Sequence, residues 1–239
     1  MTMSSTPNST ARRKTSRSSG PIAVPIICLL ILMAASCLQT AWARGNDASG
    51  ADNATRVVVL GDSIGAAYGI AEAEGWVNLM AEHLNQAFGD VVVHNASLSG
   101  ETTGGGLQRL PRILEQISPD IVIIELGGND GLRGQSVKQM AINLTAMVDL
   151  ARSYGAETLL LGMRIPSNYG PAYTEKFAST YTQVAAETGA AIVPFLLEPI
   201  ALQQEYFLPD GVHPSQQAQV LLFEHMRPAI ENLLTKIRQ

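Results

Sequence analysis

Short runs of branched apolar residues alternate along the chain with longer stretches in which apolar positions recur at three- and four-residue spacing. The runs occupy 57–60, 91–93, 121–126, 158–161 and 191–193. Unbroken apolar runs of this length predict strands buried on both faces. The stretches between and after them, 76–88, 107–117, 137–153, 173–188 and 215–237, are amphipathic at helical period and predict helices. Strand and helix alternate five times, which predicts an α/β domain: a flavodoxin-like, doubly wound, five-stranded parallel sheet with helices on both faces. In such a sheet the functional crevice lies beyond the carboxyl ends of the strands, so the residues just after each run are the first place to look for chemistry.

The beginning of the chain has a different pattern. Arg12, Arg13, Lys14 and Arg17 form a cationic stretch, 21–38 is almost wholly apolar, and Ala41-Trp42-Ala43 places small residues where a signal peptidase reads. The expected organisation is a secretory leader over 1–43, a flexible tether over 44–55 and one domain over 56–239. The apolar run is close to the ~18 residues at which a membrane helix becomes plausible. Pro21, Pro25 and the cleavage site beyond the run argue against an uncleaved anchor. Ala34-Ala35-Ser36 before Cys37 offers a lipoprotein leader as the alternative, although the usual leucine three residues before the cysteine is missing.

Composition narrows the picture further. A chain of 239 residues with 46% hydrophobic and 15% charged residues has enough apolar material for one sizeable core. Cys28 and Cys37 both lie in the leader, so the exported domain is expected to have neither a disulfide nor a thiol nucleophile. Without the leader the balance is 12 basic against 21 acidic residues, a net charge of −9. Nucleic-acid binding is disfavoured, because phosphate contacts need a basic face.

Four segments carry candidate chemistry. The run 57–60 ends in Gly61-Asp62-Ser63-Ile64-Gly65, a glycine-flanked serine that a sharp turn would present at the crevice with its own amide left free. By itself this is equally a strand-to-helix turn with Ser63 as a cap. Its match to G-x-S-x-G does not imply an α/β-hydrolase, because in that fold strands and an oxyanion donor precede the nucleophile, and Ser63 follows the first strand. After the second run comes Ser99-Gly100-Glu101, where Gly100 is able to expose an amide. After the third comes Gly127-Gly128-Asn129-Asp130, which delivers a side-chain amide on a turn. Near the C-terminus lies Asp210-Gly211-Val212-His213-Pro214, an acid three residues before a histidine that Pro214 holds extended. Together they supply a nucleophile, oxyanion donors and an oriented base.

These blocks, in this order, resemble the SGNH (GDSL) hydrolases, and within them the bacterial periplasmic thioesterase I/protease I/lysophospholipase group. The likeness covers nearly all of 56–239, including Glu125-Leu126-Gly127-Gly128-Asn129-Asp130-Gly131-Leu132-Arg133-Gly134 and Pro166-Ser167-Asn168-Tyr169-Gly170. It implies a serine esterase or thioesterase with Ser63 as nucleophile, His213 and Asp210 as base and orienter, and an oxyanion hole of Ser63, Gly100 and Asn129. It further implies a monomer needing no cofactor or metal and acting on a small acyl ester or thioester, exported and not inserted in a membrane. Ile64 stands where G-D-S-L has leucine, and Glu101 where relatives often carry Asp. A carbohydrate acetylesterase is the alternative within the superfamily; a non-catalytic lipid- or glycan-binding module is disfavoured by the intact blocks.

Leu132 and Ile165 are the candidate acyl-contacting residues, and the segment 131–135 is expected to move on substrate binding, since glycines flank Leu132-Arg133. The spacing of His83, His94 and His225 suggests no metal site: the first and last are expected on helix surfaces and His94 at a strand end. Asp130 is expected to cap its own turn. Glu125, on a buried strand, is expected to be structural, with a cation such as Arg164 on the neighbouring strand as its partner.

Overall fold

The computed structural model describes residues 54–239; the expected leader over 1–43 and residues 44–53 of the expected tether lie outside the described residues. Five strands, β1 (Thr55–Gly61), β2 (Val91–Asn95), β3 (Ile121–Glu125), β4 (Glu157–Leu161) and β5 (Ala191–Val193), pair in parallel in the order β2-β1-β3-β4-β5. The helices are α1 (Trp76–Phe88), α2 (Thr103–Ile117), α3 (Gly128–Leu132), α4 (Val137–Ser153), α5 (Pro171–Thr188) and α6 (Gln216–Ile237). Helices α1 and α6 pack together on one face, and α2, α4 and α5 on the other. This is the doubly wound α/β architecture expected from the alternation of runs. With helices on both faces, 57–60 and 121–124 are at most 1% exposed, which is why those strands read as unbroken apolar runs.

Element ends depart from the sequence reading where capping decides them. Helix α2 begins at Thr103, four residues before the expected start, because the Thr102 side chain accepts from the Gly105 amide and so carries the helix through three low-propensity glycines. Helix α5 begins at Pro171 in its first turn and stops at Gly189, which adopts the left-handed conformation of a C-cap. Thr55, expected at the end of the tether, is instead the first residue of β1 and pairs with Val91. Its hydroxyl accepts from Arg238, whose Nη1 donates to the Phe88 carbonyl at 2.7 Å, so the far end of α6 fastens the start of the central strand.

The sheet extends one residue beyond β4 at Gly162, whose amide donates to the Val193 carbonyl at 2.8 Å and whose carbonyl accepts from Leu196 at 2.9 Å. A Cβ at Gly162 would meet the carbonyl oxygen of Pro194, a backbone atom unable to rotate away. This close approach fixes the direction in which Met163, Arg164 and Ile165 leave the sheet. Gly162→Ala is expected to destabilise the domain by about 1–3 kcal/mol through overpacking. The midpoint of urea unfolding checks this, and an unchanged midpoint would mean that the β4–β5 junction yields easily.

Candidate active site

The site begins with strand register. Gly61 of β1 lies opposite Glu125 of β3, and beyond Gly61 the chain turns instead of continuing the ladder. Three backbone bonds close the turn: Ala66 to the Asp62 carbonyl at 3.0 Å, Ala67 to Ile64 at 3.3 Å and Tyr68 to Ser63 at 2.9 Å. The inward amides are taken by side chains. Glu125 Oε2 accepts from the amides of Asp62 at 3.1 Å and Gly65 at 3.0 Å, and Asp62 Oδ1 accepts from Ile64 at 3.0 Å. Among the described residues the Ser63 amide has no acceptor. A Cβ at Gly61 would lie 2.6 Å from both Glu125 Oε2 and Ser97 Oγ, so the glycines flanking the serine make room for the carboxyl beneath it.

The loop before α6 brings His213 to the serine. His213 Nε2 lies 2.9 Å from Ser63 Oγ, and Nδ1 lies 2.8 Å from Asp210 Oδ2. Asp210 Oδ1 also accepts from the amides of Val212 at 2.9 Å and His213 at 3.0 Å. These backbone bonds, then the imidazole, lower the Asp210 pKa to about 2, although the carboxyl is exposed. Two further devices hold the loop. Phe207 bridges Pro214, with Leu208 donating to the His213 carbonyl at 2.7 Å. Buried Gln219 accepts from the Trp76 amide at 3.0 Å and donates to the carbonyls of Pro214 and Ser215, tying the loop to the start of α1.

Beyond the serine opens a cleft of about 560 Å3. Asp62, Ser63, Asn129, Arg164 and His213 supply its polar side chains, while Leu132, Met163, Ile165, Phe195, Leu202 and Val212 contribute apolar wall. Leu132 and Ile165, the two expected acyl contacts, both line it. Asn129 Nδ2 donates to Asp62 Oδ2 at 3.1 Å, which uses one of its two N–H bonds. Gly100 is on the loop after β2, its carbonyl accepting from Arg133 at 3.0 Å. It does not line the cleft, and among the described residues its amide has no acceptor.

Sequence comparison places this geometry. Residues 59–221 match the GDSL-like lipase/acylhydrolase family, well over half of the chain. The chain belongs to this family. It is therefore an acyl hydrolase, of the class that cleaves carboxylic esters and thioesters, and its fold is that of the SGNH hydrolases. Esterase TesA of Pseudomonas aeruginosa is 46% identical over 181 residues, covering 76% of this chain and 90% of that protein. Thioesterase 1/protease 1/lysophospholipase L1 of Escherichia coli is 36% identical over 181 residues, covering 76% and 86%. The crystal structure of the psychrotrophic esterase EstA from Pseudoalteromonas sp., inhibited by monoethylphosphonate, superposes with a TM-score of 0.72 at 42% identity, covering 76% of this chain and 99% of that one.

Several expectations for this GDSL hydrolase need correction. Asn129 is not on a plain turn: 128–132 form the short helix α3. Asp130 does not cap its own turn; its carboxylate accepts from the amide of Thr103 at 2.9 Å and from its hydroxyl at 2.5 Å, and so caps the start of α2 from across the loop. Among the described residues Glu125 has no cationic partner: Arg164 is exposed and lies over the Phe195 ring, 4.9 Å from its centroid. His83 is half-buried against Glu231 at 2.8 Å, and His225 Nε2 lies 3.0 Å from the Phe195 carbonyl, so neither is a free surface group. Among the described residues no cluster of three or more His, Cys, Asp or Glu is arranged to hold a metal ion. Tyr68, absent from the sequence reading, packs its ring on His213 with centroids 4.4 Å apart. Its only signal in the chain is a position five residues after the serine.

The depressed Asp210 pKa has a consequence for pH. Its folded value lies below its unfolded one, so its contribution to stability is full above the ordinary carboxylate range and is lost as pH falls towards about 2. The difference in melting temperature between wild type and Asp210→Ala is expected to be constant above about pH 5 and to shrink below about pH 4. A gap that closed between neutral and mildly acidic pH instead would assign the contact to a different titration.

Proposed function

We propose that this hydrolase works through an acyl-enzyme, with Ser63 as nucleophile, His213 as base and acid, and Asp210 as the group that orients the imidazole. The observation that supports this most directly is the continuous chain from Asp210 Oδ2 through His213 to Ser63 Oγ, with contacts of 2.8 and 2.9 Å at the mouth of the apolar cleft. His213 Nε2 takes the hydroxyl proton as Ser63 Oγ bonds to the acyl carbon. The carbonyl oxygen gains charge, and the amides of Ser63 and Gly100 with the second N–H of Asn129 are the donors assigned to it. The adduct then expels an alcohol or thiol, protonated by His213. Water, deprotonated by the same nitrogen, attacks the acyl carbon, releases the acid and restores the Ser63 hydroxyl.

The cleft walls favour an apolar acyl chain over a sugar, with Leu132 and Ile165 touching it. The phenol O–H groups of Tyr169 and Tyr173 donate to the carbonyls of Leu132 at 2.8 Å and Gln135 at 2.7 Å. The proposed movement of 131–135 therefore requires both to release. Thioesters and lysophospholipids, which the name of the Escherichia coli relative includes, are accepted in the same way. The leader sequence supports export, with the domain acting as a monomer and without nucleic acid. Among the described residues no helix is long and apolar enough to cross a membrane.

Three variants test the assignment. Ser63→Ala is expected to abolish both hydrolysis of p-nitrophenyl esters and labelling by a phosphonate such as the one that inhibits the Pseudoalteromonas esterase. Asn129→Ala should still be labelled, but with kcat lower by about 100- to 1,000-fold and KM changed modestly, the pattern for one lost oxyanion donor. Wild-type activity in folded Ser63→Ala would sink the scheme. On substrates of graded chain length, Leu132→Ala is expected to lower kcat/KM for long acyl chains by about tenfold while sparing acetyl esters. A uniform effect across chain lengths would remove Leu132 from the acyl site.

A further inference from the structure

Beneath the nucleophile lies a carboxyl pair that the acyl-transfer scheme does not use. Glu125 is fully buried and Asp62 is 3% exposed. Glu125 Oε2 is occupied by two backbone amides, whereas Oε1 is buried and has no hydrogen-bond partner, and neither has the Ser97 hydroxyl beside it. Asp62 is satisfied at both oxygens, by the Ile64 amide and the Asn129 side chain. The two carboxyl groups lie under the same turn, where Glu125 Oε2 accepts from the amide of Asp62 itself, and two buried acids this close are accommodated best when one of them carries a proton.

We propose that Glu125 is a neutral positioning residue: Oε1 carries its carboxyl proton and donates it to the Asp62 carboxylate, which in turn holds the Asn129 amide and the Ile64 N–H that frame Ser63. An ionised Glu125 would leave a charged, fully buried oxygen without a donor beside a second carboxylate, a costly arrangement. Protonation turns that unpaired acceptor into a donor facing an acceptor. Burial, and after it the Asp62 charge, holds the Glu125 carboxyl well above the ordinary carboxylate range. Burial raises Asp62 as well, but both of its oxygens already accept, from the Ile64 amide and the Asn129 side chain, so the proton belongs on the unpaired Oε1 of Glu125.

The other groups around the pair leave this assignment intact. Tyr181 approaches from α5, donates its O–H to the Leu126 carbonyl at 2.9 Å and is itself held neutral by burial. The Ser97 hydroxyl approaches from the loop after β2, and His213 faces Asp62 from the cleft side. Among the described residues no Lys or Arg hydrogen-bonds to either carboxyl.

Because the folded pKa of Glu125 is raised, its contribution to stability is full below the ordinary value of 4.5 and is lost as pH rises through the folded pKa. Glu125→Gln keeps the shape, offers its amide N–H to Asp62 and its oxygen to the two backbone amides, and has no such loss. The proposal rests on the acyl-transfer reading only for its kinetic arm, so the other measurements are made in the inactive Ser63→Ala background. There, infrared difference spectra against Ser63→Ala/Glu125→Gln at pH 7 are expected to show a protonated-carboxyl carbonyl band that belongs to Glu125. The melting temperature of the double variant should exceed that of Ser63→Ala by a margin that grows from pH 5 to pH 8.

In the active enzyme, Glu125→Ala should lower kcat by about 100-fold with KM less affected, the size expected when a catalytic group is misplaced by about 1 Å. Glu125→Gln should recover most of that loss. Should the alanine variant fail to fold, the glutamine comparison and the infrared band decide alone. A carboxylate spectrum at pH 7, a stability margin independent of pH, or a kcat in Glu125→Gln as low as in Glu125→Ala would each overturn the proposal.

Discussion

A parallel ladder that ends in a sharp turn leaves backbone amides pointing into the protein with no neighbouring strand to receive them, and the site depends on how that demand is met. Here two carboxyl side chains meet it, Glu125 for two amides and Asp62 for one. The pairing of Gly61 with Glu125 sets the Glu125 carboxyl directly under the turn, where Oε2 takes two of its amides. The turn is then fixed without using the Ser63 amide, which remains available in the cleft. The arrangement explains why glycines flank the serine, since any side chain at 61 would occupy the space of the carboxyl. A side chain at either glycine would meet both Ser97 Oγ and Glu125 Oε2, so its effect would reach the support beneath the turn before it reached Ser63.

The second half of the site has a different logic. Asp210 and His213 need almost nothing from the rest of the fold to find each other, because they are three residues apart and the carboxylate bonds to the intervening backbone. What the fold must supply is their delivery to a serine 150 positions earlier in the chain. The Phe207–Pro214 bridge and the three bonds of Gln219 do this by locking the loop to the start of α1, and the Tyr68 ring, carried on the serine turn itself, covers the imidazole. Ser63 and His213 are thus aligned by packing among the serine turn, the start of α1 and the loop before α6, not by local sequence.

That division decides what was legible in the chain. Strands buried on both faces announce themselves by unbroken apolar runs, and all five were placed to within a residue or two of their centres. The glycine-flanked serine, the Asn129 block and the Asp-x-x-His pair are local patterns, and all but Gly100 line or directly support the cleft. Tertiary partners were not legible. Asp130 looks like a turn residue in sequence because nothing local reveals that Thr103 comes to meet it. Arg164 lies three residues past the end of β4 with its guanidinium over Phe195, while the hydrogen-bond partners of Glu125 are backbone amides. The apolar period of α2 begins only at Leu107, and the four residues before it are helical because of the cap at Thr102, which no periodicity registers.

The three acids of the site make the same point about protonation. By residue type, Asp210, Asp62 and Glu125 are all expected to be ionised at neutral pH. Asp210 lies in the open and accepts from two amides and an imidazole, so its charged form is favoured and it is suited to pair with a histidine that becomes cationic. Glu125 is sealed from solvent beside a like charge, so its neutral form is favoured and it is suited to donate. Asp62 lies between these limits: burial raises its pKa, and the donors around it offset part of that rise. Environments that push neighbouring acids apart in this way allow one residue type to serve as acceptor at the cleft mouth and donor beneath the nucleophile. Such a division requires the Gly61–Glu125 register, because only a carboxyl delivered from the adjacent strand reaches the underside of the turn without passing through solvent.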